Sequence, residues 1–248
     1  MAYYRDLREY LAALEGAGKL LRVKRPISKD TQLSPLVRLQ YRGLPEEERR
    51  AFLFENVTGS RGRAYDMPVA IGVLAGSRDI YALGMKCRPE EVSEKLAQAE
   101  MKPLAPRLVS SGPVQDVVHE GKDLMAHGGL DQFPIPIATP GFDPAPYITA
   151  PYWVTRDPET GTGNMGMYRA MVKSPTRTGL NFASPTKGAA VHLQSTRRGG
   201  RACPPPSSLA ALRAWDTWLS VPCPGTSTSW PWLAASRANP WRWSAARQ

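Results

Sequence analysis

Asn164 and Arg169 bracket the run Asn-Met-Gly-Met-Tyr-Arg, which follows a glycine-rich stretch, DPETGTG, from Asp157 to Gly163. An asparagine amide offers a neutral oxygen ligand to a hard cation. An arginine offers a rigid fork of donors to a carboxylate or phosphate. Glycines at 161, 163 and 166 carry no Cβ, so a ligand can approach the main chain closely. As a strand, the run sends Asn164, Gly166 and Tyr168 to one face and Met165, Met167 and Arg169 to the other. This set fits the binding of an anionic ligand, with or without a metal. It also fits an ordinary hairpin, and spacing alone leaves both readings open.

Other residues with chemical potential carry weaker patterns. His119 and His127 have no motif around them and read as core or surface histidines. His192 reads as structural. Cys87, Cys203 and Cys223 are scattered and form no CxxC pair. That argues against a disulfide framework or a zinc site and fits a reducing compartment.

The elements that must position Asn164 and Arg169 follow from periodicity. Leu7, Tyr10, Leu11 and Leu14 fall on one helical face. Asp6 and Glu9 are spaced as a capping box, and Gly16 and Gly18 end the helix. A short strand follows over 20–23, a helix over 31–41 and a strand over 51–57. The apolar run 67–76 predicts a strand buried on both faces, and helices follow over 78–83 and 90–100. This alternation predicts an α/β domain over residues 1–110. A strand is expected over 114–119. Five prolines between 134 and 146 then suggest edges and bends, as in the wall of a small barrel. Residues 147–180 read as strand, tight turn, strand, turn, strand.

The chain has 248 residues, enough to bury a core, and a net charge of +10. The charge is not gathered into one early run: PEEERR at 45–50 mixes both signs. No apolar run long enough to span a membrane appears, and no N-terminal segment reads as a secretory signal. The expectation is a soluble cytoplasmic protein without a membrane span.

Several stretches, in this order, resemble one family: DLREYLAALEGAGKLLRV at the start, LFENVTG at 53–59, and YITAPYWVTRDPETGTGNMGMYR at 147–169. They are similar to the UbiD family of reversible decarboxylases, from about residue 4 to about residue 200. The resemblance implies an N-terminal α/β domain, a split β-barrel like that of flavin reductases over 111–200, and a C-terminal domain that supports homo-oligomers in intact relatives. It implies prenylated FMN, made by a flavin prenyltransferase, held with Mn2+ and K+. By position, Asn164 matches the asparagine ligand of the metal. Met165, Gly166, Met167 and Tyr168 match the backbone lying along the cofactor. Arg169 matches the catalytic arginine that contacts the substrate carboxylate and also the cofactor region. Thr186-Lys187-Gly188 falls where a second cofactor loop lies; Lys187 stands where some members carry a metal-binding histidine. The implied activity is non-oxidative decarboxylation of an aromatic or α,β-unsaturated acid. The cofactor performs the difficult chemistry and the protein supplies orientation.

Beyond Arg201 the sequence changes character. Six of the seven tryptophans lie there with a single acid, Asp216, and the last glutamate is Glu159. The family's metal-binding glutamate and catalytic acid would both fall in this region. Tryptophan has one codon, so the text can be read in another phase. Ala214 to Trp218 regroups to (Leu/Met/Val)-Gly-(Tyr/His)-(Leu/Met/Val), which fits the family's LGYV. Ala238 to Ser244 regroups to fit EPVEVV, and Cys203 to Leu209 to fit PLPVAVVIG. The expectation is one lost base between codons 193 and 201, which makes 201–248 an out-of-frame, disordered tail on an incomplete barrel and leaves the product truncated and inactive. Two other functions compete. One is a flavin-reductase-like module that binds plain FMN. The other is nucleic-acid binding through the Trp/Arg tail, although the tail holds no lysine and no helical or strand period, and no nucleic-acid partner is expected.

Overall fold

The structure is a computed structural model and describes residues 3–102, 107–110, 112–113, 116–156, 163–180, 209–210 and 242–244. Its first unit is built around one strand. Helix α1 (Leu7–Gly16) starts where the Asp6 carboxylate accepts from the Glu9 N–H at 2.9 Å. The Glu9 side chain does not return to Asp6 to complete the box. It accepts from the Arg5 N–H at 2.8 Å and from the Arg5 guanidinium at 3.1 Å, so the arginine draws the carboxylate one residue further back. Of the four expected apolar positions, Tyr10 and Leu14 are buried, while Leu7 and Leu11 pack at the rim. Gly18, at φ +68°, turns the chain away from the helix.

Strand β1 (Leu20–Val23) pairs in parallel with β3 (Ala51–Phe54), and β3 pairs antiparallel with β6 (Val69–Ile71). The central β3 is buried at all four positions. Successive side chains point to opposite faces, and two cores result. Ala51 and Leu53 pack with Tyr10 and Leu14 of α1 and Ile80 of α3 (Arg78–Met85). Phe52 and Phe54 pack with Leu33 and Val37 of α2 (Leu33–Gly43). The strand buried on both faces is therefore β3. The 67–76 run yields only the half-buried edge strand β6, because Gly72 turns at φ +74° and ends it.

A second sheet joins β2 (Ile27–Ser28), β4 (Val57–Thr58) and β5 (Ala64–Tyr65). The expected helix over 90–100 divides into a 3-10 turn at Pro89–Glu91 and α4 (Val92–Met101). Strand β7 (Arg107–Val109) follows. The strand expected over 114–119 is absent at 116–119, where the Asp116 N–H turns back to the Pro113 carbonyl and Val117 and Val118 are exposed. The short helix α5 (Lys122–Ala126) lies beyond it.

The proline-rich stretch does not form barrel-wall strands. Prolines donate no hydrogen bond to a ladder, and residues 133–146 carry no strand. They act as a spacer instead. The Ile137 N–H donates to the Lys29 carbonyl at 3.2 Å, and the Arg38 guanidinium donates to Ala138 O and Thr139 Oγ1, both at 3.1 Å. Strands β8 (Tyr147–Ile148), β11 (Ala170–Ser174) and β12 (Arg177–Leu180) make one antiparallel sheet. Strands β9 (Tyr152–Arg156), β10 (Gly163–Met167) and β13 (Leu209–Ala210) make another. Strand β14 (Arg242–Ser244) pairs in parallel with β7. The class is mixed α/β with small sheets, and the described residues do not close into a barrel. The remainder of the 201–248 tail lies outside the described residues.

Candidate functional site

The Asn164–Arg169 run crosses from one sheet to the other. Its first part is β10, paired antiparallel with β9 so that Asn164 stands opposite Thr155, Met165 opposite Val154 and Gly166 opposite Trp153. Gly163 stands opposite Arg156, and the connection over 157–162 lies outside the described residues. In the strand order β10-β9-β13, β10 is the edge strand. Among the described residues, one row of its main-chain donors and acceptors therefore has no strand beside it.

Tyr168 and Arg169 link β10 to β11. Tyr168 is buried and clusters with Ala170, Ile148 and Leu180. Arg169 is exposed. The sides separate as alternation requires: the ring anchors the crossing and the guanidinium faces out. That guanidinium lies 5.3 Å from the centroid of the Tyr147 ring, within cation–π range. The register explains the contact. Ala170 pairs with Ile148 and Met171 with Tyr147, so Arg169 and Tyr147 are diagonal neighbours on one face of the sheet.

Tyr147 is itself held by the spacer. Its N–H donates to the Pro136 carbonyl at 3.1 Å, and the Val172 N–H donates to Pro146 O at 2.9 Å. A line of main-chain contacts thus runs from Lys29 through the proline-rich stretch to β8 and β11. At its start, the Lys29 ammonium meets Asp30 Oδ1 at 2.6 Å, with both side chains largely buried. Burial pushes the Asp30 carboxyl up, but Lys29 and the donating Ser60 N–H outweigh it, and the net shift is downward.

Of the positions singled out in the sequence, the structure thus brings Gly166, Met167, Tyr168 and Arg169 into one continuous crossing, with the backbone of Asn164 and Met165 leading into it. Thr186, Lys187, Gly188 and His192 lie outside the described residues. Tyr147 escaped the sequence reading. Its place beside Arg169 follows only from the β8–β11 register, which pairs Ala170 with Ile148 and Met171 with Tyr147. His119, Asp123 and His127 also escaped it. The sequence reads the two histidines as core or surface residues without a motif, and only the structure groups them with Asp123.

The chain matches two family models and several known proteins. A family model described as the 3-octaprenyl-4-hydroxybenzoate carboxy-lyase N-terminal domain matches residues 11–100. A second, described as the Rift-related domain of the same carboxy-lyase, matches residues 107–209. An uncharacterized protein from Archaeoglobus fulgidus is 30% identical over 216 residues, which cover 79% of this chain and 41% of that protein. The UbiD-class enzyme HmfF from Pelotomaculum thermopropionicum, solved in complex with FMN, is 34% identical with a TM-score of 0.67, over 79% of this chain and 40% of that one. The vanillic acid decarboxylase of Sedimentibacter hydroxybenzoicus, in its closed form, is 25% identical with a TM-score of 0.68, over 81% and 42%. The chain spans about two fifths of the length of these relatives.

Proposed function

Because the chain belongs to the UbiD family of carboxy-lyases, we propose that it derives from a non-oxidative decarboxylase of aromatic or α,β-unsaturated carboxylic acids. The observation that carries this reading is the edge strand β10 leading into the exposed Arg169. Gly163 and Gly166 leave the strand without Cβ atoms at two of its five positions. Its outer row of main-chain groups suits the polar edge of a flavin. UbiD-class HmfF was solved with FMN and, in an evolved dimeric form, with prenylated FMN. In this chain, Met165 to Tyr168 would lie along such a cofactor, and the Lys187-Gly188 loop would meet it from a second side. When bound, prenylated FMN supplies the reactive dipole for decarboxylation. Arg169 holds the substrate carboxylate, and the Tyr147 ring limits where the guanidinium can swing.

The metal fits less completely. Asn164 supplies one oxygen, while Mn2+ beside a phosphate needs several ligands, most of them charged. After Glu159 the chain contains one acid, Asp216. We attribute that deficit to an out-of-frame reading of residues 201–248, which removes the family's glutamates. The protein as written is then inactive. The restored protein forms homo-oligomers, depends on a flavin prenyltransferase for its cofactor and works in the cytoplasm, in keeping with a sequence that has no CxxC pair. Among the described residues, no helix is long and apolar enough to cross a membrane.

The test has two steps. Sequencing the source gene across codons 190–205 is expected to reveal a missing base. The frame-restored protein, co-expressed with a flavin prenyltransferase, is expected to carry flavin absorbance and to release CO2 from an aromatic or unsaturated acid. A restored protein that never binds flavin ends the reading. Flavin binding with activity that persists without the prenyltransferase replaces it with a plain FMN enzyme.

A further inference from the structure

His119, Asp123 and His127 sit four residues apart around α5. His119 Nδ1 lies 2.8 Å from Asp123 Oδ2, and His127 Nε2 lies 3.4 Å from Asp123 Oδ1. The two imidazoles stack with centroids 3.8 Å apart at 21°. One ligand atom from each of the three falls within 4.8 Å of the others. We propose that these residues form a site for a borderline divalent transition ion, Zn2+ or a close relative, independent of the cofactor site.

The donor set decides the class of ion. Two imidazoles and one carboxylate suit Zn2+, Co2+ or Ni2+, whereas Ca2+ and Mg2+ prefer oxygen alone. In a tetrahedral zinc site with bonds of 2.0–2.1 Å, ligand atoms stand about 3.3 Å apart. The two carboxylate contacts already approach that spacing. To ligate one ion the two imidazoles must turn out of their stack, so that their in-plane lone pairs converge; Asp123 and His127 are about half exposed and have room to turn. Three protein ligands leave a coordination position for water.

The location gives the ion a task. Helix α5 has five residues, too few to be stable by its own hydrogen bonds. Directly after it, the Leu130 N–H donates to the Pro175 carbonyl at 2.7 Å, at the turn between β11 and β12. An ion bridging one residue before the helix, one within it and one after it fixes the turn that delivers Leu130 to that hairpin.

The test is zinc titration of the full chain by calorimetry, with Co2+ absorption as a second readout. The expected result is one Zn2+ bound at micromolar or tighter affinity. His127→Gln and Asp123→Asn each weaken it by at least roughly tenfold, since even loss of an outer-shell partner costs 10–100-fold. Cys87→Ser leaves it unchanged, and the Co2+ spectrum lacks thiolate charge transfer. Both weakening substitutions fall on half-exposed side chains, and an unchanged far-UV circular dichroism spectrum confirms their folding. Zinc affinity that is the same in wild type and both variants, or no binding by wild type below about 100 μM, overturns the proposal and leaves a hydrogen-bonded His–Asp–His cluster. Neither result bears on flavin binding, so this site and the decarboxylase reading stand or fall separately.

Discussion

The guanidinium of Arg169 rests 5.3 Å from the ring centroid of Tyr147, a residue twenty-two positions earlier on the neighbouring strand. The ring restricts the arginine without neutralising it, so all its donors stay available to an anion. In the frame-restored enzyme, Arg169→Lys should lower kcat/KM by at least about 100-fold, because a lysine cannot present two parallel donors to a carboxylate. Tyr147→Leu should cost less, roughly 3–10-fold, as expected for loss of a partly exposed cation–π contact. Steady-state kinetics on both variants checks the order, and equal losses would show that the ring does more than orient.

Tyr10 joins helix α1 to the opposite side of its core. Its hydroxyl lies 2.7 Å from Val73 O and 3.0 Å from Ile80 O, and burial pushes its pKa far up, so it stays protonated as a donor. Tyr10→Phe removes the donor and leaves buried carbonyls short of a partner. The expected loss is about 1–2 kcal/mol, read as a lower urea midpoint with an unchanged slope.

The Lys29–Asp30 pair sets an acid limit. The folded-state pKa of Asp30 lies below its ordinary value, so its contribution to stability is fully present above the unfolded value of about 3.9. That contribution is lost as pH falls through the folded value. Asp30→Asn should therefore flatten the fall in stability below about pH 4, measured by urea unfolding across pH. Asp30→Ala at neutral pH strands a buried ammonium and should cost about 3 kcal/mol.

Gly129 is fixed by shape. It sits at φ +52°, and a Cβ there would strike the carbonyl of Pro175, the same carbonyl that accepts from Leu130. Gly129→Ala should destabilise the protein by roughly 1–3 kcal/mol, while Gly121→Ala, also at positive φ but with open space around it, should cost less. Thermal unfolding of the two variants separates steric clash from backbone strain.

Helix α1 was legible because its apolar spacing and its cap are local: Asp6 and the Tyr10–Leu14 face act within a few residues. Strand burial was less legible. The apolar run at 67–76 outscores AFLF in length, yet β3 is central and β6 lies at the edge, because the order of strands is set by α1 and α2 packing on opposite sides of β3. The same limit applied at the site. The Asn164–Arg169 motif was visible as text, whereas Tyr147 became a partner only through the β8–β11 register. The grouping of His119, Asp123 and His127 required the short turn of α5, which no hydrophobic period announces.

Strand β3 alternates its cargo, with Ala51 and Leu53 on one side and Phe52 and Phe54 on the other. The two chambers it separates are thus of unequal size and cannot exchange tenants. A slip of one residue would drive two phenyl rings into the compartment shaped for a methyl and an isobutyl group, and would leave the other side hollow. The strand works as a keyed partition, and the unequal key is what gives the first hundred residues a single way to close.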